Sequence, residues 1–294
     1  MSGQSARYAY YPGCSLHSTA REYNVSVRAV ARAAGVELVE VPDWNCCGAT
    51  SAHATDPFLA FALPARVLLQ AEEAGLDILA PCAACYGRLM TAKEETHRRP
   101  DLVARFEKAI GRKLGQAPRI LNVLEFLAEP KVTETIAAGL KRPLTDLKVA
   151  PYYGCLLVRP PKVTRFDDAE RPTSMDKILA SVGATPVDFP GKTECCGASL
   201  GISRVDLVVE LSGRIVQQAK HAGAEAIAVA CPLCQTNLDG RQGTAAAKFG
   251  EAFGLPIYYI TELVALALGV APGRLGLGKH LTNSLALLRQ KKLA

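Results

Sequence analysis

Residues 45–49 read Asn-Cys-Cys-Gly-Ala, and residues 194–198 read Glu-Cys-Cys-Gly-Ala. Working outward from these two stretches, the rest of the chain falls into register. A Cys-x-x-Cys follows each: Cys82-Ala-Ala-Cys85 in one case, Cys231-Pro-Leu-Cys234 in the other, each separated from its Cys-Cys-Gly cysteine pair by 34 residues. A single cysteine precedes each, Cys14 and Cys155, across gaps of 31 and 39 residues. Adding 149 to positions 46, 47, 82 and 85 lands on a cysteine every time. The surroundings repeat as well: Tyr8 to Cys14 matches Val149 to Cys155, Glu73 to Ala80 matches His221 to Ala228, and Ile120 to Ala128 matches Ile257 to Ala265, with Glu125 answering Glu262. A period of this length across ten cysteines marks gene duplication.

Patterning places these motifs on structure. Residues 7–11 and 147–153 are apolar and aromatic runs ending near glycine, which suits buried strands. Residues 23–34 and 174–182 have helical spacing and stop at Gly35 and Gly183. Second strands are expected at 36–41 and 184–189, long amphipathic helices at 58–74 and 204–222, and third strands at 77–80 and 226–230. Strand, helix, strand, helix, strand predicts a parallel α/β layer in each half. All three cysteine elements of a half then follow a strand, so they converge beyond the strands' carboxyl ends. The expected organisation is a first cysteine-rich domain over 1–140, a second over 141–270, and a basic C-terminal tail over 271–294. Residues 130–146 are the join, and 279–292 are a basic amphipathic helix read as a solvated surface helix.

The composition bounds the class. Of the 294 residues 49% are apolar and 21% charged, the profile of a globular chain, and no apolar run is long enough for a membrane span. No secretory leader is visible at the N-terminus, so the expected location is cytoplasmic. In a reducing compartment ten cysteines point to metal binding or thiol chemistry rather than structural disulfides. The formal charge of +6 counts those cysteines as neutral. No Lys/Arg block with interleaved aromatics accompanies it, so nucleic acid is not an expected partner.

Thiolates are soft ligands for zinc, copper(I) and iron–sulfur clusters. Structural zinc commonly takes four cysteines. Here each set has five, two of them adjacent, and neighbouring residues point apart in extended chain, which suits different irons of one cluster better than one tetrahedral ion. Five also exceeds the four of an ordinary cubane. The count favours an unusual cluster, or a cubane with a spare thiol.

The pattern Cys14, Cys46-Cys47-Gly48 and Cys82-x-x-Cys85, repeated as Cys155, Cys195-Cys196-Gly197 and Cys231-x-x-Cys234, resembles the CCG cysteine-rich domain. In tandem over residues 7–270 it is similar to the B subunit of heterodisulfide reductase, as is the segment Phe166 to Asp176. The resemblance implies 4Fe–4S clusters held by these ten cysteines, at least one of them non-cubane. It also implies that the clusters face one another and split a disulfide placed between them. The partners it implies are a ferredoxin-like C subunit and a flavin-containing A subunit. If the source is bacterial, it implies a heterodisulfide-reductase-like complex acting on sulfur held by a lipoate-bearing protein. No G-x-G-x-x-G follows a predicted strand, so neither flavin nor nicotinamide is expected in this chain. An electron-relay role in a quinone-linked respiratory complex is the alternative.

Candidate substrate contacts are the cations nearest the single cysteines: His17 and Arg21 after Cys14, and Arg159, Lys162 and Arg165 after Cys155. Each is weighed against an ordinary surface charge. His53 and His97 have weaker claims, and Trp44 beside Cys46 is expected to shield the site.

Overall fold

The computed structural model describes residues 6–293. Two parallel sheets of four strands form the frame. The first has order β2-β1-β3-β4, from Ala6–Tyr10 (β1), Val36–Glu40 (β2), Ile78–Leu79 (β3) and Ile120–Leu121 (β4). The second repeats it as β6-β5-β7-β8, from Lys148–Tyr152 (β5), Thr185–Pro186 (β6), Ala226–Val229 (β7) and Ile257–Tyr259 (β8). Tyr8 lies opposite Leu38 and Tyr10 opposite Leu79, while Tyr152 lies opposite Val229. The α/β architecture of two duplicated halves is therefore observed. In each sheet the chain leaves the first strand to one side and returns on the other, and the crevice at that switch point is where cysteines collect.

The intervening helices follow the expected pattern. Arg21–Ala33 stops before Gly35, and Ser174–Ser181 before Gly183, both glycines at positive φ. Pro57–Glu73 starts at the Asp56 side chain, which accepts from Phe58 N, with proline in the first turn. Val205–His221 is its partner in the second half.

Three expectations are corrected. The strand expected over 184–189 is only Thr185–Pro186 at the sheet edge, where Thr185 N and Val187 N donate to Leu147 O and Val149 O before the chain turns into a 3₁₀ helix at Pro190. The join over 130–146 carries its own helix, Pro130–Gly139, which buries Val132 and Ile136. The helix expected over 279–292 is only Ser284–Gln290; its outer face, with Ala286, Arg289 and Gln290, is solvated, while its inner face is docked on the chain. Leu277, Ser284 and Leu288 are buried, Asp239 accepts from Leu281 N and Thr282 N, and Lys291 pairs with Glu225. The fourth strands β4 and β8 were visible only as the matched Ile120 and Ile257 segments.

The two halves meet around a local pseudo-dyad. Helix Arg21–Ala33 packs on Ile260–Ala267 of the other half, and the matched helices Ser174–Ser181 and Val123–Leu127 also touch. Ser26 Oγ and Thr261 Oγ1 are 2.7 Å apart in the first contact. Rings of Tyr23 and Tyr259 stack with centroids 4.0 Å apart and planes 3° from parallel. Such a stack contributes about 1 kcal/mol beyond its buried area.

Next to this stack the C-terminal segment is locked by a buried pair, with His280 Nε2 3.1 Å from Glu262 Oε1. Burial pushes the Glu262 carboxyl up, with Glu22 adding to it, despite His280 and the Tyr259 amide. Burial acts downward on His280, but its hydrogen bond to Glu262 and the charges of Glu262, Asp239 and Glu22 outweigh it and raise it overall. The folded pair thus keeps a proton that the unfolded chain releases near pH 6.5, the ordinary histidine value being about 6.5. Its stabilisation is complete below that pH and is lost as pH rises through the raised folded value. Calorimetry is expected to show Tm falling from pH 6.5 to 8. Glu262→Gln is expected to flatten that slope, and an unchanged slope would remove the pair from the account.

Candidate metal centre

The ten cysteines are free thiols placed by the same devices in each half. The first cysteine follows the first strand through a glycine at positive φ, Gly13 (+63°) or Gly154 (+65°). A Cβ on Gly13 would lie 3.0 Å from Cys85 Sγ, and one on Gly154 3.2 Å from Cys234 Sγ. Glycine here lets the backbone pass close over the sulfur. The Cys-Cys-Gly turns use the same freedom: Gly48 (+74°) would meet Ala52 Cβ at 2.7 Å, and Gly197 (+87°) would meet Val208 Cγ2 at 2.7 Å.

Each Cys-x-x-Cys opens a helix. Cys82 is N-cap of Ala83–Arg98 and Cys231 is N-cap of Pro232–Gly240, so Cys85 and Cys234 sit in the first turns. Unpaired amides and the helix dipole favour negative sulfur there. Sulfur–sulfur approaches link the elements: Cys14–Cys46 at 3.8 Å, Cys47–Cys85 at 3.4 Å and Cys196–Cys234 at 3.6 Å. Cys155 and Cys195 act on each other in the same way. Cys82 and Cys231, both buried, interact across the junction of the halves, so the two sets meet there.

The electrostatics follow from this crowding. The hydrogen bond from Cys14 drives Cys46 down, and Cys14 is correspondingly raised. Cys155 lowers Cys195 to about 6, and Cys195 raises Cys155. In the buried pairs Cys234 lowers Cys196, while Cys47 raises Cys85. Each pair holds on to a proton because two adjacent thiolates repel one another. Five thiolates per set therefore require bound cations. Among the described residues no three His, Cys, Asp or Glu side chains gather round one metal position. Five cysteines in each set, two of them adjacent, fit a cluster that brings its own sulfide better than a lone tetrahedral ion. The donor set fits such a cluster in both halves.

Tyrosines wall the two sets. Burial raises Tyr11, and the charges of Cys85, Cys47, Cys46 and Cys14 add to it; Tyr152 faces Cys234, Cys196, Cys155 and Cys195 in the same way. Their hydroxyls donate to the carbonyls of Asn45 (2.8 Å) and Glu194 (2.7 Å), just ahead of each Cys-Cys-Gly. Trp44 packs edge-on against Tyr11 and His17, while Cys14 and Cys46 stay exposed beside it.

Between the halves lies a cleft of about 310 Å³. Its walls include Ala49 and Ala198, which follow the two Cys-Cys-Gly turns, and Ala84 and Leu233 from inside the two Cys-x-x-Cys loops. Arg88, Arg159 and His53 also line it, with no carboxylate among the lining residues. Of the residues singled out in the sequence, Arg159 and His53 reach this cleft. Arg159 donates from Nη2 to both oxygens of Glu170 and from Nη1 to Thr193 O. His17, Arg21, Lys162 and Arg165 are not among its lining: Arg21 donates to His17 O, and Arg165 pairs with Glu94 and donates to Lys162 O. His97 ends the Ala83–Arg98 helix in solvent. Arg88 was missed. It lies three residues past Cys85, one helical turn on, so helical spacing from the Cys-x-x-Cys was the signal.

The comparisons with known proteins agree with this geometry. The family model described as a cysteine-rich domain, CCG, matches residues 8–90 and again 149–239. The chain belongs to the CCG cysteine-rich domain family, which it carries twice. Among its relatives, the B subunit of the ferredoxin:CoB-CoM heterodisulfide reductase of Methanosarcina mazei is 30% identical over 86% of this chain and 86% of its own. The B subunit of a ferredoxin/F420H2-dependent CoB-CoM heterodisulfide reductase from Methanosarcina acetivorans is 29% identical over 96% of both chains. The 8-methylmenaquinol:fumarate reductase membrane anchor subunit of Wolinella succinogenes is 32% identical over 95% of this chain and 98% of that one. The fold matches a crystal structure of a hypothetical protein from Helicobacter pylori, with a TM-score of 0.76 at 13% identity. That match covers 95% of this chain, which spans about half (52%) of the Helicobacter chain. No helix among the described residues is long and apolar enough to cross a membrane.

Proposed function

We propose that this protein is the iron–sulfur subunit of a heterodisulfide-reductase-like complex, and that it carries out two-electron disulfide/thiol chemistry in the cleft between its halves. Cys14, Cys46, Cys47, Cys82 and Cys85 would hold one 4Fe–4S cluster, and Cys155, Cys195, Cys196, Cys231 and Cys234 a second, at least one of them non-cubane. Bound clusters supply one-electron storage and Lewis acidity toward sulfur. A disulfide takes two electrons and two protons to give two thiols, so electrons enter from partner subunits, a flavin-containing A subunit and a ferredoxin-like C subunit. A lipoate-bearing protein is the sulfur carrier this reading favours as substrate.

The chain's own residues prepare the site. Ala49, Ala84, Ala198 and Leu233 are small or apolar and admit a sulfur chain between the two sets. Arg88 and Arg159 line the cleft while held by Ala60 O and Glu170, and Tyr11 and Tyr152 wall the inner sulfurs. The observation that carries the reading is this cleft, bounded on each side by a Cys-Cys-Gly turn and a Cys-x-x-Cys loop. Its test is Leu233→Trp, which fills the cleft from a side chain that is not itself a ligand, between Cys231 and Cys234. Iron content is expected to stay constant while disulfide reduction falls at least tenfold, and undiminished reduction with a filled cleft would contradict it.

A second reading is supported by the similarity to the Wolinella membrane anchor protein: a relay that passes electrons between a quinone-linked partner and the rest of a respiratory complex. Leu233→Trp separates the two, because a relay keeps its electron-transfer rate when the cleft is filled.

A further inference from the structure

The two cysteine sets match in ligands but differ in what donates to them. One helical turn past Cys234 stands Asn237, only 4% exposed. Its Nδ2 donates to Cys196 O (3.1 Å) and Ala198 O (3.1 Å), and lies 3.6 Å from Cys196 Sγ. Ser212 Oγ also donates to Cys196 O at 3.2 Å. The Ala198 amide at Cys196 Sγ (3.4 Å) has its counterpart in the Ala49 amide at Cys47 and is common to both sets. The position 149 residues earlier is Arg88, whose guanidinium is turned to the carbonyl of Ala60. The match to Ser212 is Leu63, with no hydroxyl to offer. A polar buried amide thus sits on the inner sulfur of one Cys-Cys-Gly, and an arginine directed elsewhere occupies the same place beside the other.

Taking the iron–sulfur reading above as its basis, we infer that Asn237 tunes the second cysteine set through its amide at Cys196 Sγ, so that a cluster held there is reduced more readily than one held by the first set. An N–H donated to a thiolate ligand withdraws electron density from sulfur. It therefore stabilises the more negative, reduced form. The protein environment around ligands sets potential in this way even when the ligands are identical. Asn237 does not titrate, so the asymmetry is independent of pH. A single electron arriving at the centre then rests on the second set, leaving the first set to be filled by the next. Asn237 is a positioning residue in this sense, since it acts through Cys196.

The test is a redox titration of anaerobically purified protein, followed by absorbance and EPR, in wild type and Asn237→Leu. Two distinct midpoints are expected in wild type. In the variant, with iron content unchanged, the higher one falls toward the lower, which stays in place. Because Asn237 also clamps the Cys-Cys-Gly loop, a second measurement needs no variant. Protein grown with ¹⁵N-labelled asparagine is expected to show a nitrogen hyperfine coupling on the higher-potential signal; Asn45, whose Nδ2 donates to Cys46 O in the first set, places any coupling of its own on the other signal. Two midpoints that both survive Asn237→Leu unmoved, or no label coupling on the higher-potential signal, would overturn the inference. Absence of iron would overturn the iron–sulfur reading instead.

Discussion

Cys85→Ser is expected to remove about half of the bound iron, about four of about eight atoms per chain, and to abolish disulfide reduction. The reason is position. Cys85 is buried in the first turn of its helix, 3.4 Å from Cys47 Sγ, and lies beneath Gly13. A serine oxygen there is a hard, weak donor in place of a soft thiolate. Cys234→Ser is expected to remove the other half of the iron, because the second set is built independently by the second repeat. The double variant is expected to be iron-free, and circular dichroism checks that iron loss is read on a chain that keeps the parent's helix and strand content. Loss of all iron in either single variant would mean one shared centre rather than two.

The second large effect is expected from Gly13→Val, a residue that ligates nothing. Two penalties combine at this position. The left-handed conformation (+63°) costs any L-residue about 1–2 kcal/mol, and the new Cβ would stand 3.0 Å from Cys85 Sγ. That sulfur has little room to move, being packed against Cys47. Gly35→Val isolates the first penalty: its φ is nearly the same (+66°), but a Cβ there meets nothing within 4 Å. Gly35→Val is expected to lose only the cost of the left-handed backbone in denaturant titrations, whereas Gly13→Val loses more stability and also the first set's iron. Equal iron retention in both would show that the close approach of backbone to sulfur is unimportant.

How much of this was legible beforehand depended on which residues carried repeated signals. The 149-residue register placed eight of the ten cysteines and both Cys-Cys-Gly turns, and the matched Tyr8 to Cys14 and Val149 to Cys155 segments placed the other two. The parallel α/β layers followed from apolar runs ending at those motifs. The fourth strands were harder, since two or three residues such as Ile120–Leu121 are too short for periodicity, and only the matched Glu125 and Glu262 segments hinted at them. The tail was misjudged because Lys279, Lys291 and Lys292 read as a solvated face. What binds the segment is a tertiary set of partners, Glu262, Asp239 and Glu225, drawn from distant positions. The cleft was legible in outline only. Proximity in sequence to Cys14 and Cys155 suggested five cations, of which Arg159 lines it, whereas Arg88 came from the opposite side by helical spacing. Asn237 was invisible for the same reason: its meaning lies in a difference between two matched helices, not in the motif they share.

The most direct test of the central claim is anaerobic iron and acid-labile sulfide analysis of the purified chain, with EPR recorded before and after oxidative addition of a thiol. The account predicts about eight irons with matching sulfide and a paramagnetic signal that the thiol alters. Zinc in place of iron, or iron without sulfide, would contradict it.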